Sequence, residues 1–508
     1  MGGMMSLLYA EHGVDVHFFD PSEENVHQLL HMAKKLKTDH KIVHEKDYEQ
    51  LCKSISVPSQ PRLFVFSIPH GTVGDKTVDS LMPYLQKGDV ILDCSNELWQ
   101  NTERRQSKLD PKGIHYVGCG VSGGYQSARH GPSMSPGGTP EALDKVMPFL
   151  RRVAAKDKQG RPCTTPIGPG GSGHYVKMIH NGIEQGMMSA LAEAWSLMTT
   201  HLGMTYEEVA NTFEEWNDTD PLRDNFLISI GVEINRTKDP DAPSKYLLAS
   251  IRDKVVQDVN EEEGTGTWSC WQAIDLHIPA PTIVAAHLFR LASADATQRA
   301  AVSEAFTQTS TYLPTASKID PTDRTAFLSD LQQALYASFL TSFAQGLHII
   351  HAAATANSWP LDFAAIIGIW RGGCIIQSDY ISDLFTSIFT SSTNPFASPS
   401  SPKNSTPTPT PSLLTHPLLV KPLAQAYPSL KRVIAASVEA DAIVPSLSAT
   451  LEYLKYSKST EMPTQFMEAQ LDFFGGHMYE LKSDRLRPGA EKGARHFEWR
   501  PARGILDG

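Results

Sequence analysis

The sequence predicts an α/β domain with a parallel sheet, followed by a large all-α domain and a C-terminal tail. Three observations carry that expectation. Up to residue 169, short apolar runs alternate with amphipathic helical stretches, as they do where helices cover a parallel sheet. From Gly170 the texture changes to long apolar patterns of helical period, which define a second domain over 170–460. From about Glu461 the chain is short of helical pattern, so 461–508 reads as a tail.

In the first domain Val14–Phe19 reads as a strand, Glu23–Leu36 as a helix and Leu63–Ile68 as a strand. Asp75–Leu85 follows as a helix, then Val90–Asp93 and His115–Cys119 as strands. The helical domain contains His174–Leu202, Pro281–Ala294, Ala326–Asn357 and Leu361–Ile367. Inside it, 387–412 is rich in Ser, Thr and Pro, running from Ser391-Ser392-Thr393-Asn394-Pro395 to Thr406-Pro407-Thr408-Pro409-Thr410-Pro411. Such a stretch cannot bury enough apolar surface to order itself and is expected to be a disordered surface insertion.

A chain of 508 residues has room for two or three domains with a substantial core. Its 41% apolar and 20% charged content is that of an ordinary soluble protein. A net charge of −11 argues against general affinity for nucleic acid or an anionic membrane. An anionic ligand must then be met by cations concentrated locally. Cys52, Cys94, Cys119, Cys163, Cys270 and Cys374 show neither CxxC nor zinc spacing, which fits reduced thiols in the cytoplasm and no metal site. There is no apolar run of about 18 residues and no leader pattern, so neither a membrane span nor secretion is expected.

The segment Gly170-Gly171-Ser172-Gly173-His174-Tyr175-Val176-Lys177-Met178-Ile179-His180-Asn181-Gly182-Ile183-Glu184 is the most informative in the chain. On a helix Lys177, Asn181 and Glu184 stand at i, i+4 and i+7 and share one face, with His180 and Glu184 as a second i, i+4 pair beside them. A Lys/Glu stripe is ordinarily a solvated, salt-bridged face. Here the neighbours Met178, Ile179 and Ile183 are apolar and the preceding turn is crowded with glycine, which points to a cleft. An amine, an amide and a carboxyl group on one stripe suit acid–base chemistry on a polar anionic substrate. Far upstream, Asp20 stands 18 residues beyond Gly2 and, taken alone, reads as an ordinary acidic turn before Pro21 and a helix N-cap.

The Gly170–Glu184 segment closely resembles the active-site helix of the 6-phosphogluconate dehydrogenases, whose signature reads G-x-G-H-Y-V-K-M-x-H-N-G-I-E. Four more segments extend the resemblance. Asp93-Cys94-Ser95-Asn96 is similar to D-G-G-N, and Gly118-Cys119-Gly120-Val121-Ser122-Gly123-Gly124 to G-x-G-V-S-G-G. Trp370-Arg371-Gly372-Gly373-Cys374-Ile375-Ile376 matches a helical-domain signature, and Ala469-Gln470-Leu471-Asp472-Phe473-Phe474-Gly475-Gly476-His477 resembles A-Q-R-D-Y-F-G-A-H. The resemblance implies oxidative decarboxylation of 6-phosphogluconate to ribulose 5-phosphate with NADP, in a homodimer whose tails cross between subunits. It implies Lys177 as base and Glu184 as acid. It assigns Asn96 to nicotinamide and substrate, and Ser122, Gly123 and Gly124 to the substrate carboxylate. It places His180, Asn181, Thr265, Arg290 and His477 among the substrate-binding residues. Lys177 must start neutral, and His180 is expected to help as a nearby cation. With the resemblance, 1–169 reads as a Rossmann-type dinucleotide-binding domain lacking its first strand and phosphate loop. Gly2 is then the last phosphate-loop glycine and Asp20 the ribose ligand.

The departures set competing expectations. Where the family holds the substrate phosphate with Tyr, Lys and Arg, this chain has Gln185, Glu263 and Leu471, leaving Arg290 as the cation of that cluster. Charge-assisted bonds contribute about 1.5–3 kcal/mol each, so weakened phosphate binding is expected. The alternatives are a β-hydroxyacid dehydrogenase for an unphosphorylated sugar acid, or a non-catalytic homologue. In place of the family's Asn-Arg-Thr turn the chain has Asp20-Pro21-Ser22, and a carboxylate there favours NAD over NADP.

Overall fold

Val16–Phe18 (β1) and Ile42–His44 (β2) are short β-branched, apolar runs, and in a computed structural model they pair in parallel, Val16 opposite Ile42. The structure describes residues 1–58, 60–255, 264–309, 317–319, 323–397, 412–483 and 495–499. Leu63–Phe66 (β3), Val90–Asp93 (β4), His115–Ser122 (β5) and Ser133–Gly137 (β6) form a second sheet in that order. β3, β4 and β5 run parallel, with Leu63 opposite Val90 and Val90 opposite His115. The parallel sheet expected is thus found in β3–β5, while β6, a strand the sequence did not suggest, runs antiparallel to β5, Gly118 opposite Gly137 and Ser122 opposite Ser133. The cause is the connection Gly123–Pro132: a parallel crossover takes about a dozen residues or more. Among the described residues no ladder joins β1 to β3, so the sheet is in two pieces.

The helices around these sheets are α1 (Gly2–Glu11), α2 (Glu23–Ala33), α3 (Tyr48–Ser54), α4 (Thr72–Leu81), α5 (Trp99–Leu109), α6 (Gly124–His130) and α7 (Pro140–Val153). α1 is the first element of the chain. It is apolar all round, and Met4, Met5, Leu7, Leu8 and Tyr9 are buried in one core with Leu92, Val117, Val146 and Leu150. The helix expected over Asp75–Leu85 begins three residues earlier and tightens at Met82–Tyr84, where Pro83 removes a donor.

The helical part begins with α8 (Ser172–Ser196), α9 (Tyr206–Asp218), α10 (Phe226–Arg236), α11 (Thr265–Asp275), α12 (Pro281–Ala294) and α13 (Ala296–Thr307). It continues with α14 (Arg324–Ala356), α15 (Phe363–Ile369), α16 (Asp379–Thr390), α17 (Pro417–Glu439), α18 (Pro445–Lys458) and α19 (Thr464–Gly475). α8 and α14 pack on each other, and α8 also lies against α11, α12, β5 and β6. Nearly every residue of α8 is buried, which makes it an internal helix and its polar residues noteworthy. The insertion expected over 387–412 starts later, since α16 runs to Thr390; its part at 398–411 lies outside the described residues. All six cysteines are buried free thiols, and no described helix is long and apolar enough to cross a membrane.

The described residues divide into two compact units, Met1–Pro395 with Leu413–Leu451, and Phe396–Ser412 with Glu452–Gly508. The second unit contains α19, a helix where the sequence suggested none. It ends at Gly476, whose φ of +58° suits a residue without a side chain.

Burial also sets how the fold responds to pH. His174, His180 and His348 are buried, and loss of water holds each below the ordinary imidazole value, His348 at about 4. The unfolded chain takes up those protons near pH 6.5, the folded chain only lower. The unfolded state therefore binds more protons in that window, and stability falls with pH. Glu193 opposes this. Its buried carboxyl accepts the Ser446 and Leu447 amides at the start of α18 (2.8 and 2.9 Å), and burial pushes it up to about 7. It gains a proton on folding and adds stability as pH drops from about 7 to 4.5. With these histidines and His351, also held low by burial, and with salt-bridged carboxylates such as Asp75 and Asp330 held low by their arginine partners, against Glu193, the thermal midpoint is expected to be lower at pH 5 than at pH 7. An equal or higher midpoint at pH 5 contradicts this ranking.

Candidate active site

α8 can reach the sheet because the residues at the contact are glycines. A Cβ on Gly173 would strike the carbonyls of Gly118 and Ser135, and one on Gly120 would strike the Lys177 stem. The catalytic candidate therefore rests on bare strand backbone in the middle of β5. From there Lys177 Nζ donates to Asn181 Oδ1 (2.8 Å), and Asn181 Nδ2 donates to Thr265 Oγ1 at the first turn of α11 (3.0 Å). Lys177 is only 7% exposed. Glu184, one turn beyond His180, is half-buried and keeps 21% of its side chain accessible.

His180 behaves differently from expectation. It is fully buried, edge-on to Trp370 at 5.8 Å, with Nδ1 3.2 Å from Asn181 Oδ1 and 3.7 Å from Glu184 Oε2. Asn181 Oδ1 can only accept, so Nδ1 carries the proton and donates. Nε2 has no hydrogen-bond partner among the described residues. Burial, and next the Lys177 charge, hold the imidazole well below its ordinary value. It is neutral, so it does not serve as the nearby cation that the sequence suggested for Lys177.

The loop after β4 is tied to α8 and α5. His174 Nε2 donates to the Asp93 carbonyl (3.1 Å), and its Nδ1 faces Thr102 Oγ1 (2.7 Å). Ser95 N bonds Asp93 Oδ1 and Ser95 Oγ accepts Ile68 N, which leaves Asn96 half-buried just past β4. Beneath lies Arg105, 1% exposed, donating to Glu97 (2.7 Å), Asp75 (3.0 Å), Asp93 (3.4 Å) and the Gly71 carbonyl (2.7 Å). Ser122 ends β5, and Gly123 and Gly124 turn the chain into α6 with φ of +94° and +63°.

Thus the structure brings Lys177, His180, Asn181, Glu184 and Thr265 together; Asn96 follows the end of β4, and Ser122–Gly124 end β5, the strand that Lys177 packs on at Gly120. Arg290 is half-buried on α12, one turn beyond His287. Gln185 and His287 form a buried pair (Oε1 to Nδ1, 3.2 Å). His477 and Leu471 belong to the second unit, where His477 is exposed and lies against Phe474; Glu263 lies outside the described residues. His174, Arg105 and His287 were missed in the sequence. The signature contains His174, but nothing in spacing pairs it with Thr102.

Of the residues expected at the cofactor, Gly2 lies on α1 and Asp20 just past β1, while Asn96 follows β4 of the larger sheet. Gly2 opens α1 and lies close to Ser67 just beyond β3, where a Cβ would come within 3.1 Å. The N-terminus of α1 has no side-chain cap and no acidic residue in its first turn, so its amides suit a pyrophosphate. Asp20, just past β1, accepts Ser22 N (2.8 Å) and Asn25 Nδ2 (3.2 and 3.3 Å); the N-cap of α2 is Ser22, not Asp20. Among the described residues no three acidic, histidine or cysteine side chains converge as a metal site.

Comparison with known proteins covers nearly the whole chain. Residues 1–168 match the profile described as the NAD binding domain of 6-phosphogluconate dehydrogenase, and 173–499 that of the 6-phosphogluconate dehydrogenase C-terminal domain. The chain is 43% identical to a decarboxylating 6-phosphogluconate dehydrogenase of Emericella nidulans, covering 99% of this chain and all of that protein. Identity to the Klebsiella pneumoniae enzyme of the same name is 33%, over 98% and 97% of the two chains. The solved 6-phosphogluconate dehydrogenase of Plasmodium falciparum superposes with a TM-score of 0.82 at 29% identity, covering 98% of each chain. That protein was studied in its apo form, with its cofactor NADP+ and with its substrate 6-phosphogluconate.

Proposed function

The chain belongs to the 6-phosphogluconate dehydrogenase family, and on that premise we propose how its residues carry out the oxidative decarboxylation of 6-phosphogluconate to ribulose 5-phosphate and CO2, a step of the pentose phosphate pathway. The observation that carries the reading is the contact chain Gly120–Lys177–Asn181–Thr265, which sets an amine between the sheet and the helical part.

The cofactor is NADP. It supplies the hydride acceptor. The α1 amides from Gly2 onward would hold its pyrophosphate, Asp20 would face its ribose and Asn96 its nicotinamide. The NAD preference suggested by Asp20 is not followed, since the relatives point to NADP; Asp20 itself is held in the turn by Asn25 on both oxygens and by Ser22 on one.

Ser122, Gly123 and Gly124 bind the substrate carboxylate, and Asn181 with neutral His180 orients the hydroxyl groups. Lys177, as the free amine, takes the proton from the 3-hydroxyl as C3 is oxidised. The resulting β-keto acid loses CO2 because the ketone accepts the electron pair. Lys177, now an ammonium, donates to that oxygen. Glu184 then protonates carbon 1 of the enediol to give the ketose. Glu184→Ala is expected to keep the first rapid formation of reduced cofactor and to lower steady-state turnover by roughly 10²–10³-fold. Stopped-flow absorbance separates the two phases; an unchanged steady-state rate would assign the last protonation to another group.

We assign 1–169 to the cofactor, 170–460 to substrate and dimer, and 461–508 to a tail shared between subunits. A homodimer is supported by exposed Trp271 and Ile274 on α11 and Leu288 and Leu291 on α12. The buried, unpaired cysteines support a reducing, cytoplasmic setting.

A further inference from the structure

We propose that His70 and Trp268 are positioning residues for hydride transfer, a strut that fixes the Asn96 loop relative to Lys177. The assignment rests on the reaction proposed above, in which Asn96 faces the nicotinamide and Lys177 meets the 3-hydroxyl.

The strut has a rigid foot on each side. On the sheet side, His70 lies in the loop between β3 and α4. Ile68 N donates to Ser95 Oγ (3.3 Å) and Gly71 N to the Glu97 carboxylate (3.0 Å), so this loop is tied to both neighbours of Asn96. Arg105 also holds the Gly71 carbonyl (2.7 Å). Ser67, at the start of the loop, stands against Gly2, where α1 would receive the pyrophosphate. On the helical side, Trp268 follows Thr265 by one turn of α11. α11 is fastened to α8 twice. Thr265 accepts Asn181 Nδ2 (3.0 Å), and buried Ser269, next to Trp268, donates to the Met178 carbonyl (2.7 Å). Asn181 in turn holds Lys177, and Met178 is its chain neighbour. The indole is folded onto the backbone at Gly264, where a Cβ would come within 2.2 Å of two ring atoms.

Between the feet, the His70 and Trp268 rings meet edge to face, with centroids 5.1 Å apart and planes at 86°. Both side chains are half-buried, so a change there leaves the core intact. Backbone ties place each side, and the ring contact sets the gap between them. That gap matters because a misplacement of about 1 Å can cost about 100-fold in rate.

The test starts with His70→Ala in the full chain. It is expected to lower kcat about 10-fold, with the KM for 6-phosphogluconate and for NADP within about 2-fold. With 6-phosphogluconate deuterated at C3, the isotope effect on kcat should rise, since hydride transfer slows relative to the other steps. A merely structural role would lower the thermal midpoint and leave the isotope effect alone. His70→Phe, which keeps an aromatic edge, should recover most of the loss. Trp268→Leu should reproduce His70→Ala, and the double variant should be no slower than either, because one contact is removed once. In the ligand-free protein His70→Ala should change the tryptophan emission, and the change should vanish in a Trp268→Leu background. Wild-type kcat and isotope effect in His70→Ala overturn the assignment, as does unchanged emission. So do additive losses in the double variant, and a raised NADP KM that phenylalanine does not rescue, which would make His70 a direct cofactor ligand. Should Trp268→Leu fail to fold, the comparison of His70→Ala with His70→Phe decides alone. A wild-type protein that does not oxidise 6-phosphogluconate overturns the reaction itself, a separable result.

Discussion

Replacing Lys177 by alanine lowers turnover by about 10⁴-fold, the upper end of what one acid–base group contributes, because this side chain acts twice. In the proposed mechanism it removes the proton from the 3-hydroxyl and then donates to the same oxygen during decarboxylation. No other amine contacts Asn181 or Gly120 among the described residues. The carboxylate cradle at Ser122–Gly124 is untouched, so the KM for 6-phosphogluconate should change far less than kcat. Lys177→Arg does not rescue, since a guanidinium stays charged and cannot open the cycle as a base. Steady-state kinetics of both variants, with the thermal midpoint as a control for folding, check this. Full activity in Lys177→Ala would refute the whole mechanistic assignment.

Arg105→Leu is expected to destabilise the fold by about 3–5 kcal/mol, the range for breaking a buried charge cluster from one side. The guanidinium is the shared partner of Glu97 and Asp93, both buried, and of Asp75 at the edge. Leucine fills part of the volume and leaves the carboxylates facing each other without water. In a domain of this size the loss reads as a fall of roughly 10 °C in the unfolding midpoint. Arg105→Lys recovers little, because one ammonium cannot span partners that the planar fork reaches together. The Asn96 loop hangs from Asp93, so nicotinamide and substrate affinity should suffer with stability. A midpoint within a degree of wild type would mean that the cluster relaxes or hydrates at no cost.

The residues differ sharply in how readable they were. Helical spacing alone placed Lys177 and Asn181 on one face, and the structure makes that a hydrogen bond. Pro281–Ala294 keeps its predicted bounds because proline at the first position and the apolar period are both local signals. What failed depended on partners distant in sequence. Thr102 and His174 are separated by 72 positions, and Gln185 and His287 by 102. A period reveals a face, not what covers it. For the same reason His180 looked like a cation: its charge is decided first by burial, to which Trp370 contributes a wall, and next by Lys177. The split of the sheet and the reversal of β6 were equally invisible, since strand patterns do not encode neighbours.

The bare backbone under Lys177 has a consequence for how mutations in this chain should be read. Alanine is the smallest step away from glycine, yet at Gly120 one methyl group would occupy the space of the lysine stem, and at Gly173 it would meet two carbonyls. Neither position holds any chemistry, yet each guards the placement of a residue that does. A survey scoring positions by lost activity would rank these two glycines with the acid and the base. Their intolerance measures distance, not reactivity, and a map of tolerated substitutions would draw the outline of the lysine in residues that never touch the substrate.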